Sequence, residues 1–176
     1  MTDTELREKA LKIKLLIVDV DGVLTDGRIV HGNYGDELKF FDVQDGLGLA
    51  LLARAGLKTV VITAKRSPIN HRRAREIRIT KLYQNVDDKL KVYEKVLRKF
   101  RLSHDEVCYV ADDLVDLPVF TRVGLAVAVK NAVGDVKARA HYITERRGGR
   151  GAVREVTDML LKQQGKWDEV TGKYFK

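Results

Sequence analysis

The sequence predicts an α/β protein: a three-layer, doubly wound parallel sheet with a β-hairpin inserted after the first strand. Three observations predict it. Short unalternating apolar runs at Leu15–Val18, Thr59–Ile62, Val107–Val110 and Leu125–Val129 read as strands buried on both faces. Stretches with helical spacing of apolar residues lie between them, the alternation that builds parallel sheets. Three of these runs end in polar residues, Asp19 and Asp21, Thr63, and Asp112 and Asp113. In an open parallel sheet those carboxyl ends border the ligand crevice.

Taken in order, residues 4–13 form a short amphipathic lead-in helix through Leu6, Ala10 and Ile13. The first strand ends at Val18, and Gly22 lets the backbone leave the strand line. Arg28–Val43 reads as a hairpin, with Ile29 and Val30 on one arm, a turn at 33–36, and Leu38 and Phe40 on the other. Asp45-Gly46 opens an apolar helix over Leu47–Ala55, closed by Gly56 at the C′ position. After the second strand, Ser67 is an N-cap with Pro68 at the first helical position, and that helix runs to about Ile77. Leu82–Gln84 is the third strand. Asp87-Asp88-Lys89 then starts a helix carrying Leu90, Tyr93, Leu97 and Phe100 at helical spacing. Ser103 and Glu106 make a capping-box pattern ahead of the fourth strand. Leu125–Val129 and Tyr142-Ile143 complete the strands. Gly148-Gly149-Arg150-Gly151 leads into a last helix over 152–163.

The totals narrow the function classes. A chain of 176 residues, 44% of them hydrophobic, suits a single domain spanning 1–176. It lacks an apolar run of membrane-spanning length, and its charged start does not resemble a signal peptide, so a soluble cytoplasmic protein without a membrane partner is expected. The single Cys108 lies in an apolar strand and cannot form an internal disulfide. His31, His71, His104 and His141 are scattered without zinc-ligand spacing. The net charge of +8 suits anionic small substrates or nucleic acid. Aromatics at 7% form no stacking platform, so no nucleic-acid partner is expected.

The polar strand ends carry the chemistry. Asp19 and Asp21, two residues apart in extended chain, can lean toward one side of the crevice. An EF-hand loop is excluded, because Gly22 falls two places early and Val30 stands where the bidentate Glu belongs. The set fits phosphoryl transfer through an aspartyl intermediate. Asp19 would attack phosphorus, and Asp21 would protonate the leaving alcohol and then deprotonate water. Thr63 and Lys89 would donate to the non-bridging oxygens. Mg²⁺ held by Asp19, Asp112 and the Asp21 carbonyl would screen carboxylate from phosphate. Asp113 and Asp116 complete the acidic run and are expected to support these ligands.

Asp19–Thr25, Ile62–Lys65, Asp87–Lys89 and Ala111–Asp116 resemble the four motifs of the haloacid dehalogenase superfamily. More narrowly, Asp26-Gly27, Leu38-Lys39-Phe40, Asp42–Gly46 and Gly148–Val156 resemble the 3-deoxy-D-manno-octulosonate 8-phosphate phosphatase family. That resemblance implies a magnesium-dependent phosphatase of lipopolysaccharide sugar synthesis, assembled as a homotetramer. It also implies substrate contacts from Asp21, Asp42, Val43, Gln44, Asp45, Gly46, Lys65, Arg73 and Lys89. Departures stand at Ala64 and Ala111, where the family has Gly, and at Lys65 and Ala50, where it has Arg. Lys cannot offer a carboxylate a bidentate fork.

Superfamily members acting on small molecules commonly carry a lid domain, and the spacing here leaves room for none. A large substrate or a neighbouring subunit would then close the site. The 28–43 hairpin, with apolar residues and no lid to belong to, is expected to build the oligomer. Lys65, Arg73 and above all Arg150, flanked by Gly148, Gly149 and Gly151, are the candidates for the substrate carboxylate. The 148–176 tail either folds over its own or an adjacent site, or Gly148–Gly151 is simply a flexible entry to the last helix. A nine-carbon sugar acid phosphate and a nucleic-acid 3′-phosphate remain the alternative substrates, and a non-enzymatic assembly module the alternative role.

Overall fold

A computed structural model describes residues 2–176. The strands are β1 (Leu15–Val18), β2 (Val30–His31), β3 (Glu37–Leu38), β4 (Lys58–Ile62), β5 (Lys81–Tyr83), β6 (Val107–Ala111), β7 (Leu125–Ala128) and β8 (Tyr142–Ile143). The helices are α1 (Asp3–Lys12), α2 (Val43–Arg54), α3 (Pro68–Glu76), α4 (Lys89–Phe100), α5 (Leu117–Phe120), α6 (Gly134–Lys137), α7 (Ala152–Gln163) and α8 (Trp167–Thr171). Six strands form one sheet in the order β5-β4-β1-β6-β7-β8, every neighbouring pair parallel. β2 and β3 pair antiparallel as a separate hairpin, with Val30 opposite Leu38 and His31 opposite Glu37.

β1 lies at the centre, and Leu15, Leu16, Ile17 and Val18 are all fully buried, as a strand covered on both faces must be. The order reverses at β1: the chain moves outward through β4 and β5, then crosses to β6 on the other side. Two loops therefore leave β1 and β6 in opposite directions and open a crevice at their carboxyl ends. α2 packs on α7 over one face of the sheet, and right-handed crossovers put α4 and α5 on the other. α2 and α7 come close because Gly48 has no side chain: a Cβ there would meet Thr157 Oγ1 at 2.2 Å.

Several boundaries differ from expectation. α2 starts at Val43 rather than Leu47, because Asp42 caps it by accepting from Gln44 N–H at 2.6 Å. Asp45 and Gly46 thus sit inside the first turn. The third sheet strand is Lys81–Tyr83, one residue earlier than expected. The Ser103–Glu106 capping box is present, on a single 3₁₀ turn. α5, α6 and α8, four or five residues each, carry too few turns for a helical period to register in the sequence.

Candidate active site

Strand ends place Asp19, Thr63 and Asp112, and a helix start and a 3₁₀ turn place Lys89 and Asp116. Asp19 follows β1, and its Oδ1 accepts from Val20 N–H at 2.7 Å, which leaves Oδ2 for the crevice. Asp112 follows β6. Asp113 turns outward and caps the next 3₁₀ turn through Leu114 N–H at 2.7 Å, and that turn carries Asp116 back inward, fully buried. Lys89 is the first residue of α4, behind its Asp88 N-cap, and only 4% of it is exposed. Its Nζ lies 3.0 Å from Asp19 Oδ2 and 2.6 Å from Asp116 Oδ1. Thr63 follows β4 and is buried, its backbone held by Tyr83 and Val86. Gly22 gives Asp112 its place, since a Cβ there would stand 1.9 Å from Asp112 Oδ2.

The electrostatics are lopsided. Asp19, Asp112 and Asp116 offer oxygens within 4.8 Å of one another, against the single ammonium of Lys89. Burial, with Asp116 adding to it and Lys89 partly opposing it, pushes Asp19 up to about 6. Asp112 rises to about 7, through burial first and then Asp19 and Asp116. Burial works against the Lys89 ammonium, yet the two carboxylates outweigh it and its pKa is raised. Asp112 Oδ1 and Asp116 Oδ2 are buried with no hydrogen-bond partner. Orphaned carboxylate oxygens around a cation deficit suit a hard divalent ion, and an all-oxygen donor set favours Mg²⁺ over zinc. The carboxylates that cluster are therefore Asp19, Asp112 and Asp116. Asp116, expected as a supporting residue, stands among the candidate ligands, whereas Asp113 faces solvent.

The Asp21 carboxylate points elsewhere, to the Lys39 ammonium. Lys39 directly follows β3, and Glu37, two residues before it, reaches Lys65 beyond β4 at 2.7 Å. The hairpin thus lies against its own site. The expected oligomer-building face is its other side, where Ile29, Leu38 and Phe40 are exposed.

A sequence model described as haloacid dehalogenase-like hydrolase matches residues 69–155. The chain is 45% identical to 3-deoxy-D-manno-octulosonate 8-phosphate phosphatase of Yersinia pestis over 165 residues, 94% of this chain and 88% of that protein. The chain belongs to that phosphatase family. Among solved structures, a probable YrbI-family phosphatase of Pseudomonas syringae pv. phaseolica superposes with a TM-score of 0.96 at 41% identity, covering 99% of both chains. The Moraxella catarrhalis 3-deoxy-D-manno-octulosonate 8-phosphate phosphatase, solved with magnesium ion, phosphate ion and a KDO molecule, gives a TM-score of 0.96 at 38% identity, over 98% of this chain and 99% of that one.

The substrate contacts that the family resemblance implied are not all gathered at one surface. Asp42 caps α2, and its carbonyl accepts from Arg73 Nη2 at 2.8 Å. Arg73 also lies over the Phe41 ring, in the space left by Gly46, where a Cβ would meet Nη2 at 2.7 Å. Val43 is exposed, and Gln44 accepts from Arg146 Nη1 at 2.7 Å. Asp45 is 1% exposed and accepts from Arg154 N–H at 2.7 Å, so its carboxylate ties α2 to α7 instead of facing the mouth. Arg150 is largely exposed, 3.9 Å from Asp26. It lines a cavity of about 620 Å³ with three of the expected contacts, Asp42, Val43 and Gln44, and with Arg28, Phe40 and Phe41.

The glycine run before Arg150 is docked on its own chain. A Cβ on Gly148 would stand 1.8 Å from Gly22 O, and Gly149 N–H donates to Val23 O at 2.9 Å. Asn131 locks this contact by donating to Gly22 O at 2.9 Å and accepting from Gly148 N–H at 2.6 Å. Sequence reasoning missed Asn131, Tyr109, Glu37 and Lys39 as site-supporting residues. Tyr109, buried in β6, donates to Asp116 Oδ1 at 2.7 Å. Only the hairpin left a signal: charged Glu37 and Lys39 alternate with apolar Leu38 and Phe40, so one face of that arm had to be polar.

Proposed function

We infer that the chain hydrolyses 3-deoxy-D-manno-octulosonate 8-phosphate to the free sugar acid and phosphate, in lipopolysaccharide precursor synthesis in the cytoplasm. The observation that carries this reading is the buried Asp19–Asp112–Asp116 cluster, bridged by Lys89 and set in a chain of this phosphatase family. Asp19 Oδ2 attacks phosphorus, and the alkoxide leaves with a proton from Asp21. Asp21 then takes a proton from water as that water's oxygen attacks the aspartyl phosphate, which frees Asp19 and inorganic phosphate. Lys89 and Thr63 donate to the phosphoryl oxygens as charge shifts onto them. Asp19, Asp112 and Asp116 would hold Mg²⁺, which when bound screens the nucleophile from the phosphate charge. Lys39 donates to the Asp21 carboxylate and fixes its position at the rim.

The substrate carboxylate needs cations away from the cluster, and Lys65, Arg73 and Arg150 are the candidates. The reading extends to a homotetramer built on the outer face of the hairpin. Ile29, Tyr34, Leu38 and Phe40 are all more than half exposed there, and a closed ring of hairpins would cover them. Among the described residues no helix is long and apolar enough to cross a membrane.

A substrate panel with Mg²⁺ tests the assignment. The eight-carbon sugar acid phosphate is expected to be the best substrate, ahead of a nine-carbon sugar acid phosphate, p-nitrophenyl phosphate and a 3′-phosphorylated oligonucleotide. Preference for the oligonucleotide would overturn it. Sedimentation showing only a monomer at working concentration would overturn the tetramer.

A further inference from the structure

The hairpin arm from Glu37 to Phe40 is inside-out for a surface strand. Leu38 and Phe40 face solvent, 51% and 59% exposed, while the charged Glu37 and Lys39 face the body of the protein. Both inward side chains find partners on the rim of the crevice, and the two pairs have opposite sense. The hairpin cation Lys39 meets the site carboxylate Asp21, and the hairpin carboxylate Glu37 meets the site cation Lys65.

The two pairs differ in how tightly they are shut in. The Lys39 side chain is almost wholly buried, whereas those of Lys65 and Glu37 keep 37% and 19% of their surface in contact with solvent. An ion pair that water reaches is weak, so a competing anion can exchange into it. Lys65 stands two residues beyond Thr63, just past the end of β4. A carboxylate already binds this ammonium in the free protein. It comes from the chain itself.

We propose that Glu37 is a specificity-determining residue: an internal carboxylate that occupies Lys65 in the free enzyme and that the carboxylate of the sugar acid must displace. This rests on the sugar-acid phosphatase reading above and deepens it. A phosphate ester without a carboxylate leaves the Glu37–Lys65 pair shut and gains nothing from Lys65. A sugar acid exchanges one carboxylate for another and loosens the hairpin arm as it enters. The Lys65 carboxylate-binding position in the free site is thus filled by the chain's own Glu37. Glu37 sits below the ordinary Glu range, chiefly through its bond to Lys65, and so stays ionised and competitive near neutral pH.

Displacement is a cost borne in ground state and transition state alike, so it falls on KM and not on kcat. Glu37→Gln keeps the shape and removes the charge. The expected result is a KM for the sugar acid phosphate lowered about three- to fivefold, the range open to a partly exposed pair, with kcat unchanged. The KM for p-nitrophenyl phosphate is expected to stay as in the wild type. The inhibition constant of the free sugar acid against p-nitrophenyl phosphate turnover should fall by the same factor. In a Lys65→Met background, Glu37→Gln should change none of these, because the two residues then no longer couple.

A KM for the sugar acid phosphate that is unchanged or raised in Glu37→Gln overturns the proposal, and so does an equal change for both substrates. A wild-type protein that turns over p-nitrophenyl phosphate but ignores the sugar acid phosphate overturns the substrate reading, and this inference with it. Wild-type turnover of the sugar acid phosphate with no effect of Glu37→Gln overturns the displacement alone. Matching unfolding midpoints establish that the variant is folded. Should the Gln variant not fold, Glu37→Ser removes the same charge and is read in the same way.

Discussion

Tyr109→Phe isolates one hydrogen bond at the back of the site. Tyr109 is fully buried in β6 and donates its hydroxyl to Asp116 Oδ1 at 2.7 Å, the oxygen that also takes Lys89 at 2.6 Å. Burial first, and Asp116 next, push the phenol well above its ordinary pKa, so it is a fixed donor at every working pH. Phe fills the same volume without the hydroxyl. The other oxygen of Asp116, Oδ2, already lacks a partner, so the variant leaves this carboxylate with Lys89 as its only donor among the described residues. A hydrogen bond to a charged group contributes about 1.5–3 kcal/mol. The metal-free protein should lose about that much in urea unfolding, and its thermal midpoint should fall by roughly 3–10 °C. Lys89, shared between Asp19 and Asp116, is drawn toward Asp116 once the phenol is gone, and kcat should fall about three- to tenfold with KM little changed. Stability within about 0.5 kcal/mol of wild type together with unchanged kcat would refute the reasoning, because the network would then carry no load at Tyr109.

Three further outcomes are expected. Asp19→Asn should fold normally and lose about a thousandfold or more in turnover, since nucleophile and candidate metal ligand go together with little change in volume; chelation by EDTA should silence the wild type and Mg²⁺ restore it, and an active Asp19→Asn free of wild-type contamination would end the covalent mechanism. Asp45, pushed up to about 6 by burial above all, binds its proton more tightly folded than unfolded, so stability falls as pH rises from about 4 through 6. Asp45→Asn removes that loss and can still accept from Arg154 N–H. It should be more stable than wild type by about 1–3 kcal/mol at pH 7.5 and equal to it near pH 4, and equal stability at both values would show the buried charge to be harmless. Arg150→Ala should raise KM for the sugar acid phosphate and barely touch p-nitrophenyl phosphate, whereas equal losses on both would remove Arg150 from carboxylate binding.

What was legible in the sequence was whatever a strand announces. Leu15–Val18 and Val107–Ala111 are unbroken apolar runs, so β1 and β6, and with them Asp19 and Asp112 at their ends, could be placed from residue type alone. Lys89 was legible because Asp88 signals a helix start just before it. Asp116 was placed near the site but not in the cluster. The 3₁₀ turn that swings it inward is three residues long and leaves no period to read. Tyr109 reads as one more apolar residue in a buried strand until its hydroxyl is seen to meet Asp116. Asn131 lies between β7 and α6, and its two hydrogen bonds reach segments more than a hundred residues back and seventeen ahead. No local pattern encodes such a pairing.

The hairpin and the glycine run invert what the spacing suggested about closure. The short segments between the motifs leave no room for a lid domain, and among the described residues the insertion after β1 holds only the hairpin and α2. Yet Lys39 and Glu37 bring two charges from the hairpin arm to the rim, and Gly148-Gly149 packs against the turn at 22–25. Two thin segments thus flank the Asp21–Gly22 corner, one by ion pairs and one by backbone contact. The difference in chemistry decides how each can respond to substrate. Backbone packing as close as that of Gly148 on Gly22 has no second arrangement without moving the chain, so this side is a fixed wall. The Glu37–Lys65 pair, which water reaches, exchanges partners at little cost, so the hairpin side is the one an anionic substrate can open. The apolar outer face of the same hairpin then has a second consequence: covering Leu38 and Phe40 in an oligomer would restrain the arm that Glu37 and Lys39 hold, linking assembly to entry at the mouth.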